Sequence, residues 1–462
     1  MTGRTQVTDV VVLGLGPGGE EAAGRLAEHG LSVVAVDGRL VGGECPYWGC
    51  VPSKMMVRAA GLLAEGRRIP GMAGSSTVRP TWAPVASRIR DEATDGWDDR
   101  VAVERLERRG ARFVRGWGRL DGPGRVLVGE ELFEPGVGVV LSVGTEPWAP
   151  PVPGLEGLPY WTNRDAVECE AVPGSLVVLG GGAVGLELGQ VFARFGSRVV
   201  VVEVADRLLA QEEPESSALA AEVLRAEGLE VVTGATVSRV AHDGGGFTVH
   251  LEGRSEVSGE RLLVATGRRP DLARAAVGTV GLDERAGTVP VDGRCRAAPG
   301  VWALGDVTGR GAFTHVSMYQ ARIVVADVLA QAGVDGPAVH EGEYHAVPRV
   351  TFTDPEIGSV GRTEAGARED GLRVRVGSAR VPESARGWIH KAGNAGLVKL
   401  VEDADRGVLV GATAAGPAGG EVLGLLALAV HAEVPTARLR GMILAYPTFH
   451  RAVEAALDDL AG

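Results

Sequence analysis

The sequence predicts an α/β protein with two Rossmann-like dinucleotide-binding domains and a C-terminal α+β dimerisation domain. Three observations carry that prediction. A glycine fingerprint occurs twice, at a constant offset of 166 residues. Gly makes up 69 of the 462 residues and aromatics only 5%, a mix that suits parallel α/β domains with many tight turns. Beyond about residue 340 the pattern shifts to alternating segments such as YHAVPRVTFT and AGLVKLVED, the signature of antiparallel strands.

The first copy of the repeat is residues 11–37, VVLGLGPGGEEAAGRLAEHGLSVVAVD, and the second is residues 177–203, VVLGGGAVGLELGQVFARFGSRVVVVE. Gly14, Gly16, Gly19 and Gly30 fall on Gly180, Gly182, Gly185 and Gly196, and Asp37 falls on Glu203. Each copy reads as an apolar strand, a glycine turn, an amphipathic helix and a second strand ending in an acid. The first glycine makes the turn, the second admits a pyrophosphate, and the third lets helix pack closely on strand. The helix N-terminus then faces the anion. The acid about 20 residues on accepts hydrogen bonds from ribose hydroxyls. A carboxylate at Glu203 repels a 2′-phosphate, so NAD(H) is favoured over NADP(H). The competing reading has Arg207 swinging in to bind that phosphate.

Between the copies lies GGECPYWGCVPSK, with Cys45 and Cys50 five positions apart at the entry to a helix. Such a pair closes a disulfide with little backbone movement, and a helix N-terminus favours thiolate over thiol. Beside a redox cofactor it becomes a two-electron relay; the bland alternative is a pair of inert buried thiols. Cys169 and Cys295 have no spacing relation to anything and read as ordinary core residues.

Residues 139–147 read as a strand leaving the first domain, and Pro147 to Pro153 as a proline-rich crossover. Residues 262–270 form the matching exit from the second domain, and residues 301–307, VWALGDV, a strand ending in Gly305-Asp306. The long apolar helix around EVLGLLALAVHAEV presents a face that a second copy of the chain would cover. The expected organisation is residues 1–147 and 271–340 for one nucleotide-binding domain, 148–270 for the other, and 341–462 for the interface.

Bulk properties exclude several classes. A chain of 462 residues exceeds one core, and 45% apolar residues suffice for more than one. Acidic residues outnumber basic ones, 59 to 47, without a Lys/Arg cluster, so nucleic acid is not an expected partner. No apolar run is long enough to span a bilayer, and no resident metal is expected. The start passes straight into a strand without a signal-peptide pattern, so a cytoplasmic location is expected. In that reducing compartment a close cysteine pair is more often catalytic than structural.

These residues together resemble the class I pyridine nucleotide–disulfide oxidoreductases, flavoenzymes that include dihydrolipoamide dehydrogenase, glutathione reductase and mercuric reductase. The resemblance runs essentially end to end, through GLGPGG, GGECPYWGCVPSK, GGGAVGLELG, ATGRRPD, ALGDVTG, PRVTFTDPEIGSVG and the final YPTFH. It implies FAD at Gly14, Gly16, Gly19 and Asp37, with Gly43, Gly144, Gly305 and Asp306 also at that cofactor and Asp306 on its ribityl chain. It implies a nicotinamide nucleotide at Gly180, Gly182, Gly185, Glu203 and Gly267. Cys50 resembles the thiolate that touches the flavin, and Cys45 the interchange thiol that meets the substrate. Lys54 and Glu187 match the lysine beside the flavin and its ion-pair partner. The implied activity is electron transfer between NAD(P)H and a small or protein-bound disulfide or dithiol, in a homodimer.

The chain departs from the family pattern at its C-terminal segment. Where the family carries a His-Pro-Thr acid–base segment with an orienting acid, this chain has Tyr446-Pro447-Thr448-Phe449-His450-Arg451. A phenol with an ordinary pKa near 10 is a poor proton shuttle at neutral pH. One reading makes His450 and Glu454, four residues apart on a helix, a replacement dyad; the other makes them a surface pair. Without a proton shuttle, thiol-independent acceptors such as quinones gain ground. Tyr47 and Trp48 replace small residues between the cysteines and would narrow an acceptor channel or simply pack the helix start. Ala183 stands where several relatives carry a gating Tyr. The sequence lacks the C-terminal Cys pair of mercuric reductases, so mercury reduction of that type is not expected.

Overall fold

The computed structural model describes residues 5–461. They form two compact units. The first comprises the described residues up to Pro52 together with Ser87–Trp148 and Gly267–Tyr344; the second comprises Ser53–Ala86, Ala149–Thr266 and His345 onward.

The first unit is built on a sheet ordered Arg296–Ala298, Val301–Ala303, Glu131–Leu141, Gln6–Leu13, Val33–Asp37, Arg112–Arg115. Its four pairings from Val301–Ala303 across to Arg112–Arg115 are all parallel. Strands buried on both faces need continuous apolar runs, which VVVL and VVAV supply. The helices Pro17–Glu28 and Thr314–Ala332 cover one face through Ala22, Leu26, Ile323 and Val324, all fully buried. The second face packs Leu13, Val36, Phe133 and Leu141 against Leu272 and Val277.

In the second unit a four-stranded parallel sheet runs Glu230–Val232, Arg198–Val202, Ser175–Leu179, Arg261–Val264. The fully buried Phe247, Val249 and Leu262 sit in the core it shares with the antiparallel ribbon Val237–His242, Phe247–Leu251 and Val257–Gly259. The remainder is a five-stranded antiparallel sheet, Pro348–Thr351, Glu356–Gly361, Val408–Gly416, Leu397–Asp403, Val374–Arg380. The helices Gly419–His431 and Arg451–Asp459 back it with Leu423, Leu426, Val453 and Leu457.

Residues Ser53–Ala86, read from sequence as part of the first nucleotide-binding domain, belong with the second unit. The reason is polar docking along the helix Cys50–Arg68. Arg67 donates to the Arg194 carbonyl at 2.8 Å, and Arg68 pairs with Asp354 at 2.7 Å.

Two ion-pair clusters tie the second fingerprint's far loop to the five-stranded sheet. Arg349 meets Glu212 at 2.6 Å, and Lys399 meets Glu213 and Glu364 at 3.0 Å. Lys399 and Glu213 are both only 4% exposed, so neither tolerates the loss of its partner. Breaking such a pair typically costs about 3–5 kcal/mol. The loop 203–213 is thereby held rigid beside its glycine turn. Among the described residues no helix is long and apolar enough to cross a membrane.

Candidate active site

The two fingerprints fold into the same hydrogen-bonded clasp, residue for residue. In the first unit, Gly14 N–H donates to the Val36 carbonyl at 2.8 Å, and the Leu15 and Arg39 amides donate to the two Asp37 oxygens at 2.7 Å. In the second, Gly180 N–H donates to the Val202 carbonyl at 2.9 Å. The Gly181 and Ala205 amides donate to Glu203 at 2.5 and 2.8 Å. Burial raises the Asp37 carboxyl above its usual range, opposed by those amide donors.

The glycines explain themselves by what a side chain would strike. At Gly14 and Gly180, both with left-handed φ (90° and 112°), a Cβ would run into the Ser142 and Ala265 carbonyls. At Gly19 and Gly185 it would strike the carbonyls of Gly14 and Gly180. At Gly16 and Gly182 it would meet nothing within 4 Å. Each turn therefore leaves open space in front of a helix N-terminus, at Pro17–Glu28 and Ala183–Arg194. That is the room and polarity a pyrophosphate requires, and the residues present fit FAD at one clasp and a nicotinamide dinucleotide at the other. Ala183 opens the second helix without a large side chain.

The cysteine segment lies directly against the first turn. Gly42 N–H donates to the Leu15 carbonyl at 2.7 Å, and a Cβ on Gly43 would sit 2.8 Å from Gly16 Cα. A single helical turn, Glu44–Tyr47, carries Cys45, and Cys50 opens the helix Cys50–Arg68. The two thiols touch. A hydrogen bond with Cys50, reinforced by burial, holds the Cys45 thiol well above the usual thiol range. Thr314, at the start of the helix Thr314–Ala332, acts in the opposite direction on Cys45 and lies 3.4 Å from Cys50 Sγ. Cys45 therefore needs a base before it becomes a nucleophile. Burial pushes Cys295 up to about 11 and Cys169 up to about 12; Cys295 is a core thiol as expected, whereas Cys169 is only partly buried, at the end of the helix Asn163–Glu168.

Asp306, after the strand Val301–Ala303, accepts a hydrogen bond from Thr145 at 2.9 Å. Arg268 fixes Thr145 through its hydroxyl at 3.0 Å and its carbonyl at 2.6 Å, and lies 3.6 Å from Glu44. Burial raises the Asp306 carboxyl. Gly144 and Gly267 flank this group on the two connecting segments. Gly305 N–H is held by Gln320 at 2.7 Å. In the second unit Lys54 pairs with Glu187 at 2.6 Å, and Glu187 accepts the Phe352 amide at 2.8 Å. Lys54 also sits 4.8 Å from the Phe352 ring centre.

The aromatic residues between the cysteines divide. Tyr47 is buried, which pushes its phenol up to about 12, so it packs the segment rather than lining a channel. Trp48 is partly exposed, with its ring centre 5.9 Å from that of Tyr47. At the C-terminal segment, His450 and Glu454 do not form a dyad. The Glu454 carboxylate pairs with Arg451 at 2.5 Å, while the His450 carbonyl accepts the amides of Val453 at 2.9 Å and Glu454 at 3.3 Å. Arg451, three residues before Glu454, offers a charged donor to that carboxylate. Tyr446 is 72% exposed, with the Arg451 guanidinium 5.8 Å from its ring centre.

Sequence reading missed Thr314, Thr145, Arg268 and Trp97, whose roles depend on contacts across more than 40 positions. Among the described residues no group of three or more His, Cys, Asp and Glu stands as metal ligands.

Comparisons with known proteins follow the same geometry. Residues 8–321 match the family model for pyridine nucleotide-disulphide oxidoreductases, and residues 347–457 match that family's dimerisation domain. Dihydrolipoyl dehydrogenase of Rhizobium etli is 30% identical over 98% of this chain and 98% of its own length. Mercuric reductase of Acidithiobacillus ferrooxidans is 30% identical over 98% of this chain and 83% of its own. Among solved structures, the HOCl-induced flavoprotein disulfide reductase RclA from Escherichia coli superposes with a TM-score of 0.81 at 25% identity, covering 98% of this chain and 99% of that one. These matches run through both clasps and the cysteine segment. The chain belongs to the class I pyridine nucleotide-disulphide oxidoreductases, FAD-dependent enzymes that pass electrons between NAD(P)H and a disulfide.

Proposed function

We propose that this chain works as a homodimer that exchanges electrons between NADH and a small or protein-bound disulfide or dithiol through Cys45 and Cys50. The contact between those two thiols is the observation that carries the reading. Once deprotonated, the Cys45 sulfur attacks one sulfur of the acceptor; the acceptor disulfide breaks and its second half leaves as a thiolate that takes up a proton. The Cys50 thiolate then attacks the Cys45 sulfur, releasing the remaining half and closing Cys45–Cys50. Two electrons have left the pair and two thiols have been made. FAD, when bound at the first clasp, supplies the two-electron chemistry that returns the pair to the dithiol. Lys54 and Glu187 form the ion pair that the family resemblance implies.

The proton that Cys45 must lose goes to the C-terminal segment of a second copy. Ile443 is 99% exposed, Leu428 61% and Met442 40%, an apolar surface that a second copy covers. Tyr446, 72% exposed, occupies the acid–base position that the family resemblance implies. With a phenol there and no orienting carboxylate, disulfide turnover is limited by proton transfer.

We favour NADH as donor because a carboxylate at the fingerprint's acid position, Glu203, repels a 2′-phosphate, and Arg207 is committed elsewhere. Its guanidinium donates to Ser217 at 2.6 Å and to the carbonyls of Ala210 and Glu212 at 2.6 and 2.8 Å.

Three outcomes test this reading. Cys45→Ser abolishes NADH-driven reduction of an aromatic disulfide while flavin reduction in a stopped-flow trace persists; retained disulfide turnover contradicts it. Tyr446→His raises turnover at neutral pH by roughly a hundred-fold, the low end of what a positioned acid–base group contributes; an unchanged or lower rate removes Tyr446 from the proton path. Steady-state kcat/KM favours NADH over NADPH by roughly ten-fold or more, about 1.4 kcal/mol; parity would show that Glu203 does not discriminate.

A further inference from the structure

The segment beside the cysteine loop departs from regular backbone over ten consecutive residues. Residues Arg88–Ala93 form a π-helical turn. The chain then passes through left-handed conformations at Asp95 (φ 49°), Gly96 (φ 66°) and Trp97 (φ 60°). A non-glycine residue in that region is sterically disfavoured and persists only where its surroundings fix it, and π-helical turns are frequent at functional sites.

The distortion aims this segment at the cysteines. The Trp97 indole N–H donates to the Tyr47 carbonyl, between the two thiols, at 3.3 Å. The buried Asp99 carboxylate accepts the Val41 amide, just ahead of the loop, at 2.7 Å. Arg115 fixes Asp99 in turn at 2.6 Å. Beneath Trp97, the Thr94 hydroxyl donates to the Ile89 carbonyl at 3.0 Å and accepts the Trp97 amide at 3.4 Å. The loop 41–47 is therefore pinned at both ends by one short segment. Neither anchor belongs to the nucleotide clasp.

We propose that Trp97 is a positioning residue that sets the redox equilibrium of the Cys45–Cys50 pair by pinning the backbone between the two sulfurs. The proposal rests on the pair being a redox couple. Oxidation joins the two sulfurs, with two electrons and two protons passing to an oxidant; against glutathione disulfide, one disulfide closes as another opens to two thiols. A loop already immobilised in the dithiol state loses little further freedom on closing, so the sulfurs meet at high effective concentration. Releasing the Tyr47 anchor gives freedom back to the dithiol state alone, which makes the disulfide easier to reduce.

The test uses FAD-loaded protein equilibrated anaerobically in glutathione/glutathione-disulfide buffers, acid-quenched and alkylated, with free thiols counted by mass spectrometry. Trp97→Phe keeps the ring and removes the donor; its equilibrium constant for closing Cys45–Cys50 falls by roughly five-fold, the scale of one lost hydrogen bond. Asp99→Asn, which weakens the other anchor, shifts the constant the same way and carries the test should Trp97→Phe not fold. Bound FAD and the unfolding midpoint are recorded for each variant, and a shift with both unchanged separates positioning from general loosening. A wild-type constant retained in both variants overturns the proposal. A wild-type pair that never closes overturns instead the redox reading beneath it.

Discussion

Two sulfurs held in contact where the backbone is least regular are the constraint on which this structure depends. Four residues separate Cys45 from Cys50, and no continuous helix or strand spans them. Local geometry alone would let the thiols drift apart at little energetic expense. Contact is kept by groups brought from elsewhere in the first unit. The glycine turn supports Gly42 and Gly43, Asp99 takes the Val41 amide, Trp97 takes the Tyr47 carbonyl, and Thr314 lies against Cys50. The partners come from the first glycine turn, the segment 97–99 and the start of the helix Thr314–Ala332. The fold is what makes a two-electron relay out of two ordinary thiols.

The second organising element is used twice. A carboxylate at the end of the second strand takes two backbone amides, one from the glycine turn and one from its own loop, at Asp37 and again at Glu203. This clasp orients the carboxylate before any ribose arrives and holds the turn open at Gly16 and Gly182. The copies differ in what surrounds them. Near the first stands the cysteine segment; near the second stands a loop locked by Arg207, Glu212–Arg349 and Glu213–Lys399. Duplication provides the shared chemistry of dinucleotide binding, and the local surroundings divide the labour.

What could be read from sequence was what local chemistry dictates. The fingerprints were legible because glycine at fixed offsets, apolar strands and a terminal acid leave few alternatives. The cysteine pair was legible because its spacing is short. Lys54 and Glu187, 133 positions apart, were reachable only through family resemblance, since nothing local links them. For His450 and Glu454 the sequence left a dyad and a surface pair both open, because helical spacing says which groups are neighbours and not which neighbour wins; Arg451, three residues before Glu454, takes the carboxylate. The split of the chain at Pro52 was hidden for a similar reason, as arginine docking along a helix leaves no periodic trace. Trp97 and Thr314 were invisible because their significance lies in what they touch 50 and 264 positions away.

The most direct test of the central claim is an anaerobic titration of the FAD-loaded protein with NADH, following the long-wavelength absorbance of a thiolate stacked on flavin. That band is expected in wild type and in Cys45→Ala, where the Cys50 thiol is retained, and its loss is expected in Cys50→Ala. Identical spectra from the two alanine variants would contradict the claim, because the two sulfurs would then have no separate roles.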